Sequence, residues 1–352
     1  MPKDSVTAGL GNPDMLNAIR SEASQAYKDA VPVATPYNLQ DVGNPIFNYR
    51  PIANEFLDVL VNKIVMQVID KRMWDNPLGI LRTGEMPLGM DIESIHVNPA
   101  EAEEYDGTET GMADILKIQK PDVVTVYFRL NRHDKYKVTI RNQQLRGAFT
   151  AWGKLEELIA AITDSLYNGN TIDEYKYTKS LVTDAVQRGI IQTVQIPAIT
   201  NDATGKQFMA QLRSMSPLFT FPSDKYNGYK LAGGPGNPRI TWTPIEDQII
   251  LITAEAAATI GVEVLSTLFN VNYADYLARQ IIVDDFGDTG VQAILADRRA
   301  FVIYQQMREF ATFFNASTLG WQYYYHAWDM FALDPTKNAV AFSINPPVTP
   351  TP

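Results

Sequence analysis

The sequence predicts an α+β chain, on three observations. Two consecutive helical stripes occupy the middle of the chain. Beyond residue 190, short apolar runs of strand length alternate with short helical stretches. The C-terminal part is dense in aromatic residues that suit a pleated, half-buried surface. The chain has 352 residues, 45% hydrophobic and 20% charged. That composition suits a chain that buries a core, and the length suits two or three packed subregions.

The elements follow in order. Pro13 to Ser24 is a short amphipathic stretch, with Met15, Leu16 and Ile19 at helical spacing. The following VPVATPYNLQDVGNPIFNYRP is rich in Pro, Gly and Asn and predicts extended, irregular backbone. Residues 1–50 therefore read as an arm. From Ile52 to Ile69, Phe56, Leu57, Leu60, Val61, Ile64, Val65 and Val68 make a broad apolar stripe that predicts a helix; its end, IVMQVID, suits a strand equally. Residues 75–122 are loop-like and include the acidic run AEAEEYDGTETG, read as a solvated face. VVTVYFRLNRHDKYKVTI predicts a hairpin or one long bent strand.

Trp152 to Tyr167 places Leu155, Leu158, Ile159, Ile162 and Leu166 on one helical face. A second helix is expected after NGN. Thr171 and Glu174 have the spacing of a capping box, Tyr177, Leu181, Ala185 and Val186 line its face, and Gly189 stands where a left-handed cap belongs. IIQTVQIP then reads as a strand, Gln207 to Met215 as a short helix, and YKLAGGPGNPRITW as a loop. DQIILIT, QIIVDDF and VQAILAD read as buried strands, with short helices at Val262–Phe269 and Tyr273–Arg279. After NAVAF, the terminal NPPVTPTP predicts an extended tail.

The search for chemistry returns little. The absence of cysteine excludes disulfides, thiol catalysis and cysteine-bound zinc. Thirty basic and 40 acidic residues give a net charge of −10, opposite in sign to a phosphate-gripping protein. No apolar run reaches the roughly 20 residues that span a bilayer, and no secretory signal opens the chain, so a soluble protein with no membrane partner is expected. Phosphate-loop, HExxH and GxSxG patterns are absent. His96, His133 and His326 lie far apart, and no carboxylate pattern unites them. GGPGNP at 233–238 lacks dinucleotide-loop spacing. Asp284 and Asp285 precede Gly287 and read as turn formers rather than cation ligands. The expectation is a non-enzyme with no catalytic residue, no cofactor and no metal.

The aromatic segment from Phe310 to Phe331 contains no Lys or Arg, unlike a base-stacking platform. Tyr323 and Tyr325 are expected on one face of a strand, with Gln322, Tyr324, His326 and Trp328 on the other. A strand with aromatics on both faces is buried by its own domain and by something else, which points to self-association. Trp321, Tyr323, Tyr325, Trp328 and Trp152 are the candidate packing or assembly residues. Two other readings stay open at this level: a cytosolic α/β enzyme with a non-local site, and a portal or tail component of a virion.

Extended stretches carry a family resemblance. These are MLNAIRSEASQAYKDAVPVAT, WDNPLGILRTGEMPLGMDIESIHVNPAEAEEYD, QLRGAFTAWGKLEELIAAITDSLYNGNTIDEYKYTKSLVTDAVQRG, VEVLSTLFNVNYADYLARQIIVDDF, VQAILADRRAFVIYQQM, LGWQYYYHAW and NAVAF. In this order the chain resembles the major head proteins of the phi-twenty-nine group of small podoviruses, which have the Hong Kong 97 capsid fold. The resemblance implies an N-terminal arm over 1–50 that reaches a neighbour, and a peripheral-domain segment over 51–75. It implies an extended loop with flanking strands over 76–142 that overlaps the next subunit. Peripheral-domain spine helices would occupy 143–190, an axial domain 191–300, return strands to the peripheral domain 301–345 (NAVAF among them) and a disordered tail 346–352. It further implies self-assembly into an icosahedral or prolate head shell enclosing double-stranded DNA. The implied partners are copies of the chain in hexamers and pentamers, a separate scaffolding protein, a portal protein, and packaged DNA held without sequence recognition. The implied location is the virion, with assembly in the host bacterial cytoplasm. Some relatives carry an added immunoglobulin-like domain; none is expected up to Pro352, nor a long charged helical extension at the N-terminus.

Overall fold

The computed structural model describes residues 12–67, 74–102, 118–141, 162, 164–260, 280–287, 290–318 and 320–346. The chain divides into two compact units, each gathered from separate segments. The first comprises Met1–Asn76, His133–Glu174 and Met307–Ala327; the second comprises Pro77–Arg132, Tyr175–Gln306 and Trp328–Pro352.

In the first unit, four helices run from the N-terminus: α1 (Asn12–Glu22), α2 (Gln25–Ala30), α3 (Leu39–Asn48) and α4 (Arg50–Gln67). They do not form the extended arm that the Pro and Gly content predicts. Leu39, Val42, Gly43 and Ile46 are buried at helical spacing in α3, although Pro45 lies inside it. Burial of that stripe beside Phe56, Leu57 and Leu60 of α4 overrides the weak local propensity, since packing supplies most helix stability. Polar ties hold the segment in place. The Asn17 side chain donates to and accepts from the Ala34 backbone at 2.9 and 2.8 Å. The Arg20 guanidinium donates to the carbonyls of Val31 and Lys28. Residues 12–48 thus pack on their own unit instead of projecting from it.

The sheet face beneath these helices comes from β4 (Arg132–Arg141), β9 (Phe301–Asn315) and β10 (Gly320–Leu333). In the first unit β10 lies between β9 and β4. Tyr136, Val138 and Ile140 of β4 join Trp321, Tyr323, Tyr325 and Ala327 of β10 in one core with Leu16, Ile19, Tyr27 and Ile46.

The second unit is built on a five-stranded sheet of order β5-β11-β8-β6-β7. Its strands are β5 (Gln192–Gln195), β6 (Gln248–Thr253), β7 (Gln280–Val283), β8 (Val291–Asp297) and β11 (Ala339–Ser343). Every residue of β6 is buried, because alternate side chains feed two separate cores. Ile249, Leu251, Ile294 and Ala341 join Tyr175, Val182, Ala185 and Val186 of α5 (Gly169–Gln187). Ile250, Ile252, Leu295 and Phe342 join Phe208, Met209 and Leu212 of α6 (Asp202–Leu218). A sheet covered on both faces carries continuous apolar runs, as DQIILIT and VQAILAD do. The NAVAF strand, β11, pairs parallel with β5 and antiparallel with β8. It therefore belongs with the 191–300 segment and does not return to the β4–β10 sheet. β1 (Gly84–Glu85) pairs parallel with the start of β9.

Several local expectations change. Helix α5 begins at Gly169, so Thr171 lies inside it and the capping box is not the start; Glu174 instead accepts from Asn170 and pairs with Arg308 at 2.8 Å. Its buried face is Tyr175, Thr178, Val182, Ala185 and Val186, whereas Tyr177 is exposed. Gly189 has φ +70°. The Gly189 N–H donates to Val186 and the Ile190 N–H to Ala185, the pattern that closes a helix on a left-handed glycine. Within 75–122, β2 (Ile92–Val97) pairs antiparallel with β3 (Val123–Phe128) from Ile92↔Phe128 to Val97↔Val123. Consequently β3 and β4 are not a hairpin: they belong to different sheets. Expectations for most of 152–163, for 261–279 and for the tail from 347 lie outside the described residues.

Candidate functional site

The predicted aromatic candidates separate onto two faces. Trp321, Tyr323 and Tyr325 are buried in the first unit's core. The Trp321 ring meets Phe314 edge-on at 5.1 Å, and its indole N–H donates to Asn54 Oδ1. Tyr325 packs on Phe310, Tyr167 and Tyr136 with ring centroids at 4.7, 5.5 and 6.2 Å. The Tyr323 hydroxyl is buried without a hydrogen-bond partner, and burial raises its pKa above the usual tyrosine value. Gln322, Tyr324, His326 and Trp328 alternate with these and are half-buried. The two-faced pattern is present; Trp321, Tyr323 and Tyr325 serve the subunit interior, and Trp328 stands apart from them. Trp152 lies outside the described residues.

Several titratable groups are engaged structurally, while His96 Nε2 is buried without a hydrogen-bond partner. Asp284 and Asp285 face the Lys179 ammonium at 3.0 and 3.3 Å, and Tyr175 donates its hydroxyl to Asp284. Burial raises Asp284, but the bonds from Tyr175 and Lys179 outweigh it and leave its carboxyl below the ordinary range. The Tyr175 hydroxyl is pushed up to about 12, first by burial and then by its bond to Asp284. Asp285 accepts from the Gly287 N–H at 2.7 Å, with Gly287 at φ +64°; this is the expected turn. Among the described residues no three His, Cys, Asp or Glu side chains cluster in a way that could hold a metal. A cleft of about 480 Å³ in the second unit includes Arg299, Asp247 and Asp334. Arg299 is paired with Asp247 and Asp297 at 3.1 and 3.3 Å. Asp334 accepts from Ser94 and Thr336, each at 2.7 Å.

The arrangement that the sequence reading missed is a clamp at the foot of the β2–β3 ribbon. The Arg239 guanidinium, fully buried, donates through Nη2 to both Asp122 carboxylate oxygens at 2.8 Å. Asn98 Nδ2 donates to Asp122 at 2.8 Å and to the Pro238 carbonyl, while Asn98 Oδ1 accepts from the Ile240 N–H. The Arg239 bond, with help from Asn98 and Asn237, holds the Asp122 carboxyl below its ordinary pKa. GGPGNP thus delivers Arg239 to the ribbon. Above the clamp, one ribbon face is open and rich in apolar side chains: Ile95 is 61% exposed, Val97 51%, Val123 46% and Tyr127 62%, with Thr125 opposite Ile95 and Glu93 opposite Tyr127, whose hydroxyl donates to it. The alternation in IESIHV was the available sequence signal; the clamp had none, since Arg239 lies 117 residues from Asp122.

An exposed ribbon face rich in apolar side chains, held by the Asp122–Arg239 clamp, describes a surface suited to contact. Comparison with known proteins agrees. The model of the Phi29-like phage major capsid protein family matches residues 16–343. The chain belongs to this family.

The major capsid protein of Bacillus phage PZA is 32% identical over 331 residues, covering 94% of this chain and 72% of that protein. That of Streptococcus phage Cp-1 is 27% identical over 349 residues, covering 94% and 93%. Among solved structures, the capsid of Staphylococcus phage Andhra matches with a TM-score of 0.60 at 15% identity, over 78% of this chain and 86% of that chain. A chain in the structure of head fiber and inner core protein gp22 of native bacteriophage P68 matches with a TM-score of 0.59 at 14% identity, over 79% and 86%. The fold is the Hong Kong 97-like capsid fold, α+β. As a Phi29-like major capsid protein, the chain self-associates into a phage head shell, has a structural role, and resides in the virion capsid.

Proposed function

We propose that this capsid protein closes its shell from hexamers and pentamers, using the β2–β3 ribbon and the loop it carries (99–121) to overlap the adjacent copy. Assembly takes place in the host bacterial cytoplasm on a separate scaffolding protein, with a portal at one vertex. The finished shell holds double-stranded DNA without reading its sequence, and the protein catalyses nothing. The observation that carries this reading is the exposed face of Ile95, Val97, Val123 and Tyr127 above the Asp122–Arg239 clamp. An exposed face this rich in apolar side chains supports a contact site, with Glu93 and Thr125 adding polar groups to it, and the clamp fixes the ribbon's direction before any partner arrives. Weak contacts of this kind sum when a symmetric shell closes. The net charge of −10 suits a wall that does not adhere to packaged DNA.

The test is a loop exchange. Excising 84–110 would remove β1, β2 and the buried Met86, so the cut must be narrower. Replacing 103–117 with a Gly-Ser linker should leave the subunit's circular dichroism and melting unchanged and stop closed particles from forming. Closed particles at normal yield by negative-stain microscopy would overturn the overlap.

A further inference from the structure

One strand of the first unit's sheet carries a basic row on its outer face. Along β4, Tyr136, Val138 and Ile140 pack into the core, so Lys135, Lys137, Thr139 and Arg141 stand on the opposite face; all four are exposed. Within β4 no acidic side chain stands among them; Glu309 of β9 is exposed on the same sheet face, two strands away. At about 3.3 Å per residue the row from Lys135 to Arg141 is roughly 20 Å long. An aromatic pair flanks it on β10. Lys137 Nζ lies 5.7 Å from the Tyr324 ring centre, and Tyr324 stacks on His326 at 6.4 Å. In a chain of net charge −10 this is a strong local reversal.

The same chain carries the complement. Glu101, Glu103, Glu104, Asp106 and Glu109 put five carboxylates into nine residues, and no Lys or Arg occurs from Glu101 to Leu116. The run leaves the ribbon just beyond the clamp at Asn98. Every copy in a shell therefore brings one acidic run and one basic row, and pairing between copies uses each once. Packaged DNA fits the row less well. Three lysine and arginine cations would release only about three counterions, against the repulsion of a strongly acidic protein.

We propose, resting on the shell reading above, that the acidic run 101–109 of one copy docks on the Lys135–Lys137–Arg141 row of an adjacent copy. The row is thus the receptor for the loop, with the Tyr324–His326 pair beside it. Lysines on an edge strand also discourage strand addition, but that role needs no acidic partner, and the two roles separate experimentally.

Because the chain has no cysteine, single introduced cysteines report directly. Full-length Glu104→Cys chains are mixed with full-length Lys137→Cys chains, allowed to assemble, and oxidised; Glu104→Cys with Lys206→Cys is the control. In parallel, Lys135→Glu/Lys137→Glu is assayed with and without Glu103→Lys/Glu104→Lys in the same chain. The expected result is an inter-chain disulfide in the first mixture alone. The charge reversal should raise the concentration needed for shells about tenfold, and the compensating pair should restore it, because small ion-pair terms recur at every copy. Shells that form normally despite charge reversal overturn the docking and leave the shell reading standing. So does reversal that the compensating pair fails to rescue, which assigns the lysines to edge protection. A disulfide within one chain of a Glu104→Cys/Lys137→Cys protein, with none between chains, likewise overturns it. DNA retained by the parent but lost on charge reversal, with no cross-link, would give the face to nucleic acid. A chain that stays monomeric in every arm defeats both readings.

Discussion

Trp321 and Trp328 lie seven residues apart on one strand, and the structure assigns them different work. Trp321 is 5% exposed, packed edge-on against Phe314 and bonded through its indole N–H to Asn54. Trp328 is half-buried on the other face. Replacing Trp321 with Ala empties a large core site, which costs about 3–5 kcal/mol. The lost hydrogen bond adds at most about 1 kcal/mol, since half-buried Asn54 regains water. At roughly 1.4 °C per kcal/mol for a chain of 352 residues, melting should fall by about 4–8 °C. Trp321→Phe keeps a ring in the site and should cost about half as much. Trp328→Ala removes a side chain already partly in water, so the subunit should lose only about 1–2 kcal/mol, while shell yield falls further than that loss explains. Unassembled subunits are compared by urea and thermal unfolding followed by far-ultraviolet circular dichroism, and shells by sedimentation. Equal destabilisation by Trp321→Ala and Trp328→Ala would refute the separation of interior from outer face. A Trp321→Ala cost below about 1 kcal/mol would refute the core placement.

Two further outcomes follow from the same side-chain accounting. Tyr323→Phe should stabilise the subunit by about 1 kcal/mol, because it deletes a buried hydroxyl that has no partner and keeps the ring; a melting point that falls would mean the hydroxyl is bonded. Asp122, held below its ordinary value of 3.8 by Arg239, lends its stabilisation above that pH and loses it as the pH drops further through the lowered folded value. Hydrogen exchange at Asn98, whose N–H donates to the Asp122 carbonyl, should therefore stay slow near pH 5 and, after correction for intrinsic rates, accelerate below about pH 4. Asp122→Asn should abolish that transition, and an unchanged acid profile in the variant would place the opening elsewhere.

Much of the fold was legible because it rests on local periodicity. Leu16 and Ile19 in α1, Phe56, Leu57 and Leu60 in α4, and the apolar runs of β6 and β8 carry their burial in their sequence, whereas β7, at the sheet edge, buries Ile281 and Val283 and leaves Ile282 exposed. Gly189 announced the end of α5 and is found at φ +70°. The aromatic alternation of β10 was legible for the same reason; that Tyr323 and Tyr325 are the residues facing the core came from the structure. The misreadings share one cause. Pro45 and Gly43 argue against a helix by propensity, and Thr171 and Glu174 argue for a start by local capping; both local arguments were outweighed by contacts with distant segments.

The sequence by itself determined the composition of the cores, the helical and strand periods, the absence of thiol chemistry, and enough ordered similarity to point to a capsid. Only the tertiary structure decided that β3 pairs with β2 rather than β4, that β11 lies between β5 and β8, and that Arg239 closes on Asp122. It also showed that residues 12–48 fold back on α4. Periodicity is set by neighbours a few residues away and is written along the chain. Pairings across tens of residues or more depend on which buried surfaces and charges find each other once the chain has collapsed.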